Sequence, residues 1–372
     1  MSNRGKRVVV RLTLTHRIKI GVFVLSLAGS YSHVLAQNTL KPLDKTTHTI
    51  AHSSDGRYDG FAIAIAWPRA LAKQVGGWYD GVAKAIGLNR KGYYRVGHSA
   101  VILVSNKDSV CHYFDFGRYH SPFGQGRVRN ETTDVGLQIT TKAIISKDKI
   151  LNFDAILNEV MHKTASHASG PMHGSYCRVR FDSAQQFALA MQQQSPYQYD
   201  PFKANATNCS RFARKVILAG RPPFVHSLRI ALAPLISPSP LHNLASLWHY
   251  VRISATENAV KEECIVRRSC PVVLLDSTLP APTRPLNLTK EAQWLAGETA
   301  GSWFQISKQG ERFWVERFCA EGEVECAALF AIEQGSTLEL TQPYRFTFLS
   351  HCAQVSIVQF GNLVNLSATQ AE

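Results

Sequence analysis

Two short segments of this chain contain residue types that together can carry out thiol chemistry. In the first, Gly97 and His98 precede an apolar run typical of a strand, and in the second, Asn208 and Cys209 precede an amphipathic pattern typical of a helix. A cysteine at a helix N-terminus is a good nucleophile because the helix dipole and free N–H groups favour its thiolate. A nearby histidine can then move the proton. We therefore predict a catalytic pair formed by Cys209 and His98.

The strand that begins at His98 is predicted to return as a hairpin, and the returning strand offers two residues that could orient the imidazole. A three-residue loop centred on Lys107 places His112 on the same face as His98, diagonally across the ladder, whereas a loop one residue longer pairs His98 with Asp115. Asp115 lies within an aromatic run, where an unpaired charge is costly. Its partner could be His98 or Arg118. Both His112 and Asp115 therefore remain candidates for the third residue.

Competing sites are less well supported by the sequence. Cys177 falls in the middle of a predicted strand and lacks activation by a helix, so we expect a core thiol or a disulfide with Cys111. The chain has no Cys-x-x-Cys pair, and no carboxylate stands at ligand spacing from its loop histidines. We accordingly predict neither a metal nor a cofactor.

Charge is distributed unevenly along the chain. Residues 60–222 contain 21 Lys and Arg against 10 Asp and Glu, whereas residues 223–372 contain 11 against 14. The basic excess thus falls in the segment with His98 and Cys209, which favours an anionic partner such as peptidoglycan or lipid. Three arginines could also form an anion-binding loop, namely Arg118, Arg127 and Arg129. Nucleic acid is not predicted, because the chain has an export signal and no binding motif.

The N-terminal sequence predicts export. Six basic residues and no acidic residue lie within residues 1–19, and the apolar run at 20–28 is too short to span a bilayer. Small residues then lead to Ala36, so we predict a signal peptide over 1–36, with an uncleaved anchor as the alternative. The mature protein is expected to be periplasmic or secreted, with no transmembrane segment. That compartment permits disulfides, and the local pairs Cys264–Cys270 and Cys319–Cys326 are plausible.

Composition and periodicity divide the rest of the chain into four parts. We predict a linker at 37–59, an α+β domain at 60–222, a proline-punctuated connector at 223–285, and a small all-β barrel or sandwich at 286–372. Within the α+β domain, residues 61–67 and 135–144 are predicted strands. The helix after Cys209 is expected to end at Gly220, ahead of two prolines.

These motifs resemble the circularly permuted branch of the papain-like superfamily, which includes NlpC/P60-like hydrolases and lecithin retinol acyltransferase-like proteins. The resemblance depends on Gly97-His98 at a strand start, on a polar residue of the returning strand, and on Asn208-Cys209-Ser210-Arg211-Phe212, which matches an Asn-Cys-x-x-Phe pattern. Residues 112–120 also resemble a motif of a bacterial relative of this group.

The resemblance covers residues 60–222 and implies a permuted papain-like fold. In that family Cys209 would be the nucleophile, His98 the base, and His112 or Asp115 the residue that orients the imidazole. The implied function is an exported cysteine hydrolase that cleaves an amide or ester of an anionic cell-envelope substrate, with a peptidoglycan peptide favoured. A lipid acyl ester is the alternative substrate. A non-catalytic module that binds the envelope is the alternative function.

Overall fold

The computed structural model describes residues 57–74, 76–168, 170–232, 239–253 and 277–369. All of them belong to one compact unit, His48–Glu372. The predicted signal peptide, most of the predicted linker, and Cys264 and Cys270 lie outside the described residues. Within the described ranges, no helix is both long and apolar enough to cross a membrane.

The first part of the chain is built on an antiparallel sheet of seven strands. Its order is β11-β7-β6-β5-β1-β10-β12. The strands of this part are β1 (Gly60–Trp67), β2 (Ala72–Lys73), β3 (Asn89–Arg90), β4 (Tyr93–Tyr94), β5 (His98–Ser105), β6 (Cys111–Gly117), β7 (Gln125–Arg129), β8 (Ile145–Ser146), β9 (Lys149–Ile150), β10 (Met172–Val179), β11 (Tyr197–Gln198) and β12 (Trp248–Ile253).

Helices cover both faces of this sheet, which gives a mixed α/β fold. They are α1 (Asp80–Ala85), α2 (Phe153–Met161), α3 (Phe181–Gln193), α4 (Cys209–Ala219), α5 (Phe224–Ala231) and α6 (Pro240–Ala245). Side chains alternate between the two faces of a strand. On one face of β5, Val101 and Leu103 pack in a core with α3, α4 and α6. On the other face, Ala100 and Ile102 pack in a core with α2.

The predicted strands at the centre of the sheet are confirmed, whereas the strand predicted at residues 135–144 is wrong. That segment instead begins with a 3₁₀ turn at Val135–Leu137. Two of its N–H groups bond to a side chain, since the Glu159 carboxylate accepts those of Thr140 and Thr141, each at 2.8 Å, and the Ala143 N–H donates to the Ser109 carbonyl at 2.9 Å. The alternating apolar side chains of this segment therefore pack in the core that contains α2, although the segment is not a strand.

The segment predicted to be a connector contributes to the first sheet. Its strand β12 pairs antiparallel with β10 and becomes the last strand of the sheet. Its helix α6 places Leu241 and Leu244 in the same core as α4. The first sheet thus continues beyond residue 222.

The C-terminal part is an antiparallel sheet of seven strands that almost closes into a barrel. Its order is β13-β14-β15-β16-β19-β18-β17. The two edge strands meet through Gln293, whose side chain donates to the Tyr344 carbonyl at 2.9 Å and accepts from the Phe346 N–H at 3.0 Å. The strands are β13 (Gln293–Leu295), β14 (Ser302–Gln309), β15 (Arg312–Phe318), β16 (Val324–Ile332), β17 (Arg345–Phe346), β18 (Gln354–Gln359) and β19 (Asn362–Ala368).

The disulfide in this part differs from the predicted one. Cys326 is bridged to Cys352 and not to Cys319, which is a free thiol. Of the two alternatives predicted for Cys177, the bridge to Cys111 is absent and the core thiol is confirmed, since both cysteines are buried free thiols in the described structure. The reason is geometric, because Cys111 faces the core beneath α2 while Cys177 faces the core beneath α4.

Candidate active site

The start of strand β5 fixes the position of His98. Gly97 adopts φ +78°, and a Cβ added to it would lie 2.9 Å from the Trp67 carbonyl oxygen, so glycine is required both for the turn and for the close approach. His98 stands opposite Trp67 in the β1–β5 ladder, with ring centroids 5.7 Å apart. The imidazole therefore lies largely buried at the end of the sheet.

The start of helix α4 fixes the position of Cys209. Asn208 is the N-cap, and its side-chain oxygen accepts the Arg211 N–H at 2.9 Å. Phe212, one turn further along, is fully buried between the helix and the sheet. Asn243 of α6 donates to the Ser210 carbonyl at 2.9 Å, which ties the first turn to a neighbouring helix. Cys209 is accordingly held as the first residue of a rigid helix.

The thiol of Cys209 and the imidazole of His98 lie close enough for each to shift the pKa of the other. Burial alone would raise the pKa of Cys209, but the neighbouring imidazole of His98, together with the Ser99 N–H, holds it below its usual value. Burial alone would lower the pKa of His98, but Asp115 and Cys209 raise it to about 9. Both shifts favour a thiolate next to an imidazolium.

Asp115 is the third member of the group. Ala100 pairs with Asp115 in the β5–β6 ladder, so His98 and Asp115 share one face of the sheet on a diagonal. Nε2 of His98 lies 3.5 Å from Oδ2 of Asp115. Burial would raise the pKa of this carboxyl, but the charge of Arg129 and the neighbouring imidazole of His98 lower it to about 2. Asp115 therefore remains ionised beside His98.

The alternative residue, His112, lies elsewhere. It stands opposite Leu103 and so points to the other face of the sheet from His98, toward Phe181 of α3. Its Nδ1 is 2.7 Å from the Glu131 carboxylate, which raises its pKa. The structure thus brings together Cys209, His98 and Asp115, and it separates His112 from them.

The three arginines predicted as an anion-binding loop are used within the protein. Arg129 pairs with Asp115, and Arg127 makes two bonds of 2.8 and 2.9 Å to Asp134. Arg118, which the sequence offered as a partner for Asp115, instead pairs with Glu298 of the β13–β14 connection at 2.8 Å. All three guanidinium groups are buried. The prediction of an anion-binding loop is therefore wrong.

The other two thiols of the sheet, Cys111 and Cys177, have pKa values above the usual range. Burial raises the pKa of Cys111 to about 12 and raises that of Cys177 further still, and no cationic group offsets either shift. A buried thiol in apolar surroundings stays protonated and inert. In the ranges that the structure describes, no group of His, Cys, Asp and Glu side chains is assembled to hold a metal.

Sequence reasoning missed the residue that holds Asp115. Arg129 stands directly opposite Asp115 in the β6–β7 ladder, and its guanidinium also lies 3.5 Å from the centre of the Tyr119 ring. Tyr113 adds a hydrogen bond of 3.2 Å to the same carboxylate. The alternation of Arg127, Val128 and Arg129 indicates a strand, but it predicts arginines that face solvent, whereas β7 is buried on both faces.

Two regions of the chain match known families. Residues 62–222 match the family model described as type VI secretion system effector TseH-like. This segment contains His98, Asp115 and Cys209, so its similarity to the effector model extends over all three residues. Residues 292–369 match the model described as the DUF6695 C-terminal domain. Each match covers less than half of the chain.

One solved structure, of the type VI secretion system effector TseH, is similar to this chain. The sequence identity is 18%, the alignment covers 54% of this chain and 95% of that chain, and the TM-score is 0.35. No curated protein matches the chain.

Proposed function

We propose that the protein is a secreted effector whose first domain is a cysteine hydrolase. The observation that carries the proposal is the buried Cys209 at the start of α4, whose pKa is lowered by His98, with Nε2 of His98 3.5 Å from Asp115. The relationship of residues 62–222 to TseH-like effectors supports secretion. In this reading Cys209 is the nucleophile, His98 the base and acid, and Asp115 the residue that orients His98.

The first half of the reaction forms an acyl-enzyme. The Cys209 thiolate attacks the substrate carbonyl carbon, and a carbon–sulfur bond forms as the carbonyl electrons move to oxygen. The N–H of Cys209 belongs to the first turn of α4 and has no acceptor within the helix, so it can stabilise this oxyanion. His98 then gives its proton to the leaving nitrogen or oxygen, the bond to that atom breaks, and the acyl group stays on sulfur.

The second half of the reaction restores the enzyme. Neutral His98 takes a proton from a water molecule, and the resulting hydroxide attacks the thioester carbonyl. The carbon–sulfur bond breaks, the acid product leaves, and the Cys209 thiolate is again paired with the His98 imidazolium. Asp115 remains ionised throughout, and Arg129 holds it in place through two hydrogen bonds.

We favour a peptide amide of peptidoglycan as the substrate. The domain that carries the site has a large excess of basic over acidic residues, which suits an anionic polymer. An aromatic cluster is also available for stacking, in which Trp78 is partly exposed and packs 5.8 Å from Phe202. Phe202 lies three residues after Tyr199, whose pKa is raised by burial first and then by the charge of Cys209.

A lipid acyl ester is the second candidate substrate, and it was suggested by the Asn-Cys-x-x-Phe pattern. In this fold Asn208 caps the helix and Phe212 anchors it, with its ring 6.5 Å from Phe116. The pattern thus accounts for how Cys209 is attached to the sheet, and it carries no information on the acyl group. This argument supports the peptide over the lipid.

The order of the catalytic residues supports a permuted papain-like fold, because His98 on β5 precedes Cys209 on α4 in the chain. We propose this arrangement together with action outside the producing cell, in the periplasm or beyond it. Mass spectrometry of the protein recovered from its native host tests the predicted signal peptide. Loss of residues 1–36 supports cleavage at Ala36, and an intact N-terminus contradicts it.

The function is tested by digestion of purified peptidoglycan with the wild-type protein and with Cys209→Ala, followed by mass spectrometry of the released fragments. We expect new peptide ends with the wild type and none with the variant. A parallel assay measures release of fatty acid from phospholipid vesicles. Activity in that assay alone would identify the lipid acyl ester as the substrate. Binding to peptidoglycan without hydrolysis in either assay would contradict the hydrolase and support the binding module.

A further inference from the structure

Helix α5 presents a row of large apolar side chains to the solvent. Phe224 and Leu228 lie in α5 and Leu232 is its C-cap residue; the three follow one another at a spacing of four residues and are 80%, 47% and 74% exposed. Residues at this spacing lie on one face of a helix. Scattered exposed apolar residues are ordinary, but an aligned row of three on one helix is typical of an interaction surface.

The opposite face of α5 is anchored, so the row is presented by a fixed element. Ile230 is fully buried in the core beneath α4, and His226 is also buried. Nδ1 of His226 donates to the Ser246 carbonyl at 2.9 Å, and the Ser227 hydroxyl donates to the Pro222 carbonyl at 3.2 Å. The exposed row is therefore a property of the folded helix.

The stretch of sequence that contains this row is rich in basic residues. Residues 201–253 contain seven Lys and Arg and no Asp or Glu. Arg221 precedes the helix and Arg229 lies within it. The preceding helix α4 carries three further cations, none of them fully buried, at Arg211, Arg214 and Lys215.

We propose that α5 is a docking surface for an anionic lipid bilayer. A helix that combines an apolar row with flanking cations lies in the plane of the membrane interface, where the apolar side chains enter the acyl boundary and the cations meet the headgroups. The absence of acidic residues over 53 positions favours lipid over a protein partner, since protein surfaces are of mixed charge. This docking is independent of the chemistry at Cys209.

The test is cosedimentation of the full chain with vesicles of phosphatidylcholine and phosphatidylglycerol in equal amounts, compared with pure phosphatidylcholine. We expect binding to the mixed vesicles and about tenfold weaker binding to the neutral ones. The combined variant Phe224→Ser, Leu228→Ser and Leu232→Ser should weaken binding to mixed vesicles by about tenfold or more. Because these side chains are exposed, their replacement should leave thermal unfolding unchanged.

Phe360 supplies the matched control, since it is 71% exposed in the turn between β18 and β19. Phe360→Ser should bind vesicles like the wild type, and so should Cys209→Ala, which separates docking from hydrolysis. The proposal is overturned if the wild type does not bind mixed vesicles or if the triple variant binds as well as Phe360→Ser. A concentration-dependent dimer that the triple variant abolishes, without vesicle binding, would assign the surface to a second copy and also overturn it.

Discussion

Arg129 and Asp115 stand directly opposite each other on β7 and β6, and two hydrogen bonds of 3.0 and 2.7 Å join them. The second of these bonds ends on Oδ2, the oxygen that lies 3.5 Å from Nε2 of His98. The arginine thus fixes a carboxylate that in turn faces the imidazole paired with Cys209. The carboxylate that orients His98 is therefore held in position by the pairing of β6 with β7 and not by a loop.

The first prediction concerns Asp115. Asp115→Asn removes the negative charge that faces His98, so kcat for peptide hydrolysis should fall about a hundredfold or more. The change also leaves the buried Arg129 without its counterion, which should lower the free energy of unfolding by about 3 kcal/mol. Steady-state kinetics and urea denaturation measure the two effects. His112→Gln is the control, because His112 lies on the other face, and equal activity of the two variants would contradict the assignment of Asp115.

The second prediction concerns pH. The reactive form pairs a Cys209 thiolate with a protonated His98. Because the pKa of Cys209 is lowered, kcat/KM should rise at a pH below the usual thiol range, and it should fall above about 9, where His98 loses its proton. Asp115→Asn lowers the pKa of His98, so in that variant the alkaline limb should move down by about one pH unit. An alkaline limb that stays in place would show that Asp115 does not act on His98.

The third prediction concerns Gly97. Gly97→Ala places a side chain in the left-handed region and brings Cβ within 2.9 Å of the Trp67 carbonyl, so both stability and kcat should fall. Gly361→Ala has a similar φ of +81° with open space around it, and it should cost only the conformational strain of about 1 kcal/mol. Thermal unfolding compares the two. Equal destabilisation, with full activity of Gly97→Ala, would mean that the close approach to Trp67 is unimportant.

The fourth prediction concerns the contact between the two sheets. The Arg118–Glu298 pair is buried, so Glu298→Gln leaves a buried cation uncompensated and should lower the free energy of unfolding by about 3 kcal/mol. Asp148→Asn breaks the pair with Arg178, in which Asp148 is exposed, and should cost less than about 1 kcal/mol. Urea denaturation of both variants is the measurement. A smaller loss for Glu298→Gln than for Asp148→Asn would contradict the role of the buried pair.

The helix that carries Cys209 could be predicted because its signals are local. Asn208 caps it through a hydrogen bond to a residue three positions away, and Gly220 follows its last residue, as the sequence indicates. The period of apolar residues likewise fixes which face carries Phe212. Such features depend on neighbours within one or two turns, so a single sequence contains them.

The choice between His112 and Asp115 could not be made from the sequence. It depends on the hairpin loop, in which Ser109 adopts φ +60° and its N–H donates to the Ser105 carbonyl at 3.0 Å. Glycine usually occupies the left-handed position of such loops, so the serine gave no signal for the longer loop. The role of Arg129 depends on a second register, between β6 and β7, which local patterns do not specify.

The most direct test of the catalytic pair is the alkylation rate of each cysteine by iodoacetamide at neutral pH, followed by peptide mass spectrometry. The partly exposed Cys319, whose pKa is raised by burial first and then by Glu321, is the internal reference. We predict that Cys209 reacts at least about tenfold faster than Cys319, and that His98→Ala removes this advantage. If Cys209 reacts no faster than Cys319, and His98→Ala leaves its rate unchanged, the thiolate–imidazolium pair does not exist.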